Sequence, residues 1–191
     1  MEFIDVYAGG QDPEKVAVAD WLGIKIAPGH HSLLVSNDHK KVRAARKGVD
    51  FVAGIPSGRA QLNQMLTDTH YDFFIVHPDL RLSKRIVRMA KRYETALAVP
   101  LAPVFSLKQK LLRRTRRNVL LVQDLGGTLL LCSGAGSPAE IRSGRDLAAI
   151  GVLLGLKPDY ARKAVSRFPA QILKRNEGRR KQEVWGVEVL E

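Results

Sequence analysis

Apolar residues in this chain fall in two alternating patterns. Short unbroken runs, such as Phe73-Phe74-Ile75-Val76 and Leu129-Leu130-Leu131, are separated by longer stretches in which apolar positions recur at helical spacing. The runs predict strands over residues 3–7, 24–27, 32–35, 50–54, 72–76, 95–99 and 128–132. The intervening stretches predict helices over residues 12–22, 38–47, 58–67 and 84–93, a long basic helix opened by Ser106, and a helix over 146–154. Local punctuation agrees. Asp12 with Pro13 is a helix start, and Ser36 or Asn37, Ser57 and Ser83 are cap candidates. Gly23 and Gly48 close helices. Beyond residue 156 the pattern changes to two short helices, 158–167 and 169–176, then a charged break at 177–181 and a strand-like tail at 183–189.

Strands that alternate with helices imply parallel pairing with the helices outside. Runs that are apolar at successive positions imply burial on both faces. A closed barrel and an open doubly wound sheet both fit. Neither GxGxxG nor GxxxxGK[ST] follows a strand, which weakens the nucleotide-binding open-sheet reading.

Composition narrows the partners. A length of 191 residues suits one domain, 1–191, with a basic segment at 174–191. With 45% hydrophobic and 26% charged residues, a globular chain is expected. Lys and Arg number 31 against 19 Asp and Glu, a net charge of +12, which points to a polyanion, most often nucleic acid. The one cysteine, Cys132, allows neither an internal disulfide nor a cysteine-based zinc site. Glu2 and Asp5 near the N-terminus do not suit a signal peptide, no apolar run is long enough to span a bilayer, and the basic helices lack an aromatic-rich interfacial face. The expectation is a cytoplasmic protein without a membrane partner.

The candidate chemistry is mostly cationic. Five histidines, His30, His31, His39, His70 and His77, form neither H-x-H nor H-x-x-x-H, so no local metal-ligand spacing is written. His77 falls at the C-terminal mouth of a strand, where barrel enzymes place catalytic groups. Cys132 ends an apolar strand and reads as a small core residue. Asp5, Asp50 and Asp72 stand at or near strand starts, the stability face of a barrel. No catalytic or metal-binding residue is assigned. Lys84, Arg85, Arg88, Lys91 and Arg92 share one helical face. Lys108, Lys110, Arg113, Arg114, Arg116 and Arg117 follow with no acid among them, and Lys174, Arg175, Arg179, Arg180 and Lys181 form a third group. Unmixed charge repels itself and calls for an anion. The RNA-contact candidates are therefore Arg88, Arg92, Arg113, Arg114, Arg116, Arg117, Arg142, Arg145, Lys174 and Arg175. Aromatic residues make up 6% and sit in apolar context, so folded RNA read by backbone and shape is favoured over stacked single strands.

Residues 128–154 join an apolar strand, the small-residue loop Ser133-Gly134-Ala135-Gly136-Ser137, the basic turn Arg142-Ser143-Gly144-Arg145 and a helix containing Leu153-Leu154-Gly155-Leu156 at its end. The loop N–H groups of Ser133, Gly134, Ala135 and Gly136 are candidates to cradle a phosphate, and a tight strand-to-helix turn is the equal alternative. This stretch, continued by Ala161, Ala164-Val165-Ser166 and Pro169-x-x-Ile172-Leu173, resembles the archaeal ribonuclease P protein component 3 family. Gly144 stands where that family usually has proline. The resemblance implies a TIM-like (β/α) barrel, compact or incomplete, with extra C-terminal helices. It also implies a protein subunit of ribonuclease P, an endoribonuclease whose RNA holds the chemistry and removes 5′ leaders from precursor tRNA. The implied partners are ribonuclease P RNA, precursor tRNA, a small RRM-like protein subunit and other ribonuclease P proteins, with no cofactor on this protein and Mg2+ on the RNA. The alternatives are a metal-dependent phosphoesterase on a related barrel and a scaffold protein with an exposed apolar edge.

Overall fold

The computed structural model describes residues 2–8, 12–102 and 109–188, with side chains to residue 180. Seven strands alternate with helices: β1 (Ile4–Asp5), α1 (Pro13–Trp21), β2 (Lys25–Ile26), β3 (Leu33–Val35), α2 (His39–Ala45), β4 (Phe51–Gly54), α3 (Arg59–Met65), β5 (Phe73–Ile75), α4 (Lys84–Arg92), β6 (Ala96–Pro100), α5 (Gln109–Asp124) and β7 (Leu129–Cys132). Among the described residues a 3-10 turn (Pro138–Glu140) and three further α-helices follow, α6 (Gly144–Leu153), α7 (Pro158–Ala164) and α8 (Arg167–Glu188). β1 pairs with β2, and β3-β4-β5-β6-β7 form a second sheet; every pairing is parallel.

One interior shows how the two sheets relate. Ile4 and Val6 from the first strand, Ala27, Phe51 and Ala53, Phe73 and Ile75, Ala96 and Ala98, and Leu130 and Cys132 form a single buried cluster. Their neighbours Val52, Phe74, Leu97, Val99, Leu129 and Leu131 point outward under the helices. Alternate residues thus fill two cores, as the pleat requires. An open sheet would keep first and last strands apart; here both reach the same interior, so the two sheets curl into an incomplete TIM-like barrel with no closed strand ladder among the described residues. Small Ala53, Ala96 and Ala98 leave room for the Phe51 and Phe73 rings, whose centroids lie 6.0 Å apart.

Few backbone bonds bridge the first strand to the end of the barrel. The N–H of Gly134 donates to Tyr7 O at 2.8 Å, and that of Ile4 donates to Val165 O at 2.8 Å. Among the described residues no ladder joins β2 to β3. Asp5 lies at the C-terminal end of β1 and not at a strand start: its buried carboxylate accepts the N–H of Ser133 at 3.1 Å and ties the first strand to the last. Asp50 and Asp72 do precede β4 and β5, at the opposite end.

Several boundaries depart from the sequence pattern. Asp38 caps α2 itself, accepting from Lys40 N at 2.9 Å, so Ser36 and Asn37 are not the caps. Gly58 occupies the N-cap position of α3, while Ser57 donates from N and Oγ to Gln61 Oε1. The expected break at 177–181 and strand-like tail are one continuous helix, α8, to Glu188. Pro169 is tolerated in its first turn, where no intrahelical N–H bond is due, and the charged stretch after it carries good helix formers. The start expected at Ser106 lies outside the described residues.

Candidate nucleic-acid interface

α5 presents its cationic cluster because a polar clamp fixes its rotation. Thr115, Asn118, Val119 and Val122 are buried. Asn118 Oδ1 accepts the N–H of Leu82 at 3.0 Å, and its Nδ2 donates to Leu80 O at 2.7 Å. That register splits the four arginines. Arg114 donates to Asp79 O at 2.6 Å and Asp79 Oδ1 at 3.0 Å, and Arg117 reaches Leu82 O at 3.3 Å. Arg113 and Arg116 are exposed, with no hydrogen-bond or ion-pair partner among the described residues. With Leu120 and Asp124 they border a shallow groove of about 450 Å³. Lys108 and Leu107 lie outside the described residues.

α4 packs beside α5. It buries Ile86, Val87 and Ala90, and Ser83 caps it through Ile86 N at 3.3 Å. Arg88 and Arg92 consequently face solvent, Arg92 lying 6.0 Å from the Tyr93 ring centroid.

The loop after β7 has an internal acceptor for each candidate N–H. Ser133 N meets Asp5, Gly134 N meets Tyr7 O, Ala135 N meets Ser133 Oγ at 3.3 Å, and Gly136 N meets Glu140 Oε2 at 2.6 Å. The geometry is that of a strand-to-helix turn, with none of these four donors left to a phosphate. Gly134 has φ +63 and passes so near Pro100 that a Cβ would lie 2.6 Å from it, which requires glycine. In the basic turn, Ser143 caps α6 through Asp146 N at 3.1 Å, and a side chain at Gly144 would fall on the Phe3 ring. Arg142 folds back onto Ala139 O at 2.7 Å and Ile141 O at 2.9 Å. Arg145 is exposed, without a carboxylate partner among the described residues, and borders a cavity of about 550 Å³ with Phe3, Val152 and Arg162.

α8 crosses the N-terminal ends of the strands, where its Ile172 joins the barrel interior. Arg175 belongs to a structural network. It donates to Asp72 Oδ1 at 3.0 Å and Glu94 O at 3.0 Å. Arg46 grips the same buried carboxylate with both Nη atoms, at 2.9 and 2.7 Å, and Asn176 adds a bond at 3.0 Å. Arg180 pairs with Asp50 at 2.9 Å. Lys174, one position earlier, is exposed. Arg46 was the residue missed by sequence reasoning. Its signal is positional: in a parallel α/β chain, residues just before every strand converge on one end, so Arg46 and Asp72 face a common layer.

Among the described residues no three His, Cys, Asp or Glu side chains converge as metal ligands. His77 Nδ1 accepts Asp79 N at 3.2 Å, whereas His39 and His70 share Asp68 at 2.6 and 2.7 Å. Burial, then the neighbouring Asp5 carboxylate, push the Cys132 thiol well above its ordinary pKa, so the nucleophilic thiolate is disfavoured. No helix among the described residues is long and apolar enough to cross a membrane.

The chain is 26% identical over 161 residues to ribonuclease P protein component 3 of Methanosarcina barkeri, covering 80% of this chain and 67% of that protein. It is 29% identical over 114 residues to the protein of the same name from Methanosarcina acetivorans, covering 58% of this chain and 48% of the relative. A chain in a cryo-EM structure of archaeal ribonuclease P with mature tRNA superposes with a TM-score of 0.64 at 15% identity, over 92% of this chain and 80% of that one. The profile of RNase P subunit p30 matches residues 31–181, and the chain belongs to that family.

Proposed function

We propose that this chain is an RNA-contacting protein subunit of ribonuclease P, assisting a catalytic RNA in removing 5′ leaders from precursor tRNA. The observation that carries the reading is the separation of its cations. Arg114, Arg117, Arg142 and Arg175 are held by protein acceptors, whereas Arg88, Arg113, Arg116, Arg145 and Lys174 face solvent without a hydrogen-bond or ion-pair partner among the described residues. Exposed, unmixed cations on rigid helices suit recognition of a folded phosphate backbone. Family membership and the archaeal ribonuclease P structural neighbour support the assembly. Mg2+ is placed on the RNA in this reading, and a small RRM-like protein subunit is the proposed protein partner. The phosphoesterase alternative requires converging metal ligands, which the described residues do not supply.

The test is precursor-tRNA cleavage with Mg2+, using the whole chain freed of RNA and the same chain reconstituted with ribonuclease P RNA and its protein partners. The reading expects no cleavage by the chain alone and a loss of cleavage when it is omitted from the limiting assembly. Leader removal by the RNA-free chain, abolished in His77→Ala, would transfer the chemistry to the protein.

A further inference from the structure

The N-terminal end of the barrel, normally a face for stability, carries an open pocket of about 460 Å³ between the end of α2, the segment before β5 and α8. Arg46, Thr69, His70, Asn176, Arg179 and Arg180 contribute to its lining. The guanidinium groups differ in their commitments. Arg46 is fixed on Asp72 and Arg180 on Asp50. Arg179 is exposed, one helical turn beyond Arg175, and has no hydrogen-bond or ion-pair partner among the described residues. Partial burial and then the charges of Arg175 and Arg46 lower its pKa from the ordinary value, a sign that like charges crowd it. It stays charged, as arginine does in proteins.

We infer that this pocket holds a phosphate group, with Arg179 as its principal ligand and Arg46 and Arg180 setting the surrounding field. The guanidinium charges stand at the end of α2 and at two positions on α8, around the pocket rather than on one side of it, which suits a tetrahedral oxyanion better than a planar carboxylate. His70 gives its Nδ1–H to the Asp68 carboxylate, so it walls the pocket and is not counted among the phosphate's donors. The volume is that of a nucleotide-sized ligand and not of a single ion. Among the described residues no Phe, Tyr or Trp lines it, and its guanidinium groups match the charge of a phosphate, so the phosphate is the part that is read. Applied to an RNA backbone, the inference rests on the proposed function; applied to free phosphate, it stands alone.

The experiment compares the whole wild-type chain with Arg179→Gln and with Arg116→Gln, which lies on α5. One arm measures the unfolding temperature with and without inorganic phosphate. The other measures binding to ribonuclease P RNA across a salt series. Arg179→Gln is expected to leave the phosphate-free unfolding temperature unchanged or raised, and to abolish the stabilisation by phosphate. It should flatten the salt dependence of RNA binding by about 0.9, an affinity loss of about tenfold near 0.1 M salt. Loss of the phosphate effect with an unchanged RNA slope would identify free phosphate as the ligand and reject the RNA backbone. Retention of both the phosphate effect and the RNA slope would overturn the pocket, while flattening by Arg116→Gln would still uphold RNA binding elsewhere. Failure of the wild type to bind RNA at any salt would remove the functional reading, with the phosphate arm still deciding the pocket.

Discussion

At the C-terminal end of the barrel strands, Asp5 is buried among backbone donors. It accepts Tyr7 N at 3.2 Å and Ser133 N at 3.1 Å, while the buried Lys15 ammonium turns to Ala8 O and Ala135 O. At the N-terminal end, Asp72 is equally inaccessible, yet two arginines and an asparagine converge on it. Burial pushes the Asp5 pKa up, against the opposing pull of Ser133, Tyr7 and Lys15. At Asp50 burial also raises the pKa, but the Ser32 and Arg180 bonds outweigh it and the net shift is downward. One carboxylate therefore joins first and last strands, and the other two anchor a helix over the barrel floor. The comparison separates cations that build the protein from cations left for a partner.

The largest expected effect breaks the floor. Asp72→Ala strands Arg46 and Arg175 without their shared counter-charge in a buried site, a loss of about 3–5 kcal/mol. Urea denaturation followed by circular dichroism measures it. A loss below about 1 kcal/mol would mean that the network contributes little and that α8 docks through Ile172 and its apolar neighbours alone.

A smaller effect sharpens the contrast through pH. Asp5 has a raised folded-state pKa, so its contribution is present below the unfolded pKa and is lost as pH rises through the folded value. Asp5→Asn keeps a carbonyl acceptor and removes that loss, so its stability relative to wild type should improve from about pH 4 toward neutrality. Asp50 has the opposite sign: its contribution is present above the unfolded pKa and is lost as pH falls through the lowered folded value. Arg180→Gln should therefore destabilise at neutral pH, and the deficit should shrink in acid. Parallel pH profiles for the two variants would erase the distinction between the ends.

Much of this architecture was legible. The alternation of apolar runs and helical stretches, Asp12 before Pro13, and Ser83 before the basic helix each describe local preferences that the fold keeps. Barrel closure was not local: the sequence cannot show that the Asp5 carboxylate meets the N–H of Ser133. The end of α8 was missed because Gly178 and a charged stretch weaken helical signals without ending a helix that has begun. Of the candidate arginines, Arg113 through Arg117 plainly could not share one stripe. Which pair found protein acceptors depended on Asn118 clamping the loop at Leu80 and Leu82, a tertiary choice. The same limit applies to Arg175 and Arg179, which share a helical face, yet among the described residues only Arg175 reaches the Asp72 carboxylate.

The smallest expected change in stability carries the most direct test of the account, that RNA is met by the cations the fold leaves unpaired. Arg113→Gln with Arg116→Gln should stay within about 0.5 kcal/mol of wild type in urea. In binding of the whole chain to ribonuclease P RNA across a salt series, the same double variant should flatten the slope of log affinity against log salt by about two units. Arg114→Gln with Arg117→Gln should flatten it less and destabilise the fold more, because those side chains hold Asp79 and Leu82. An unchanged slope in Arg113→Gln with Arg116→Gln, or an equal flattening by both pairs, would contradict the account.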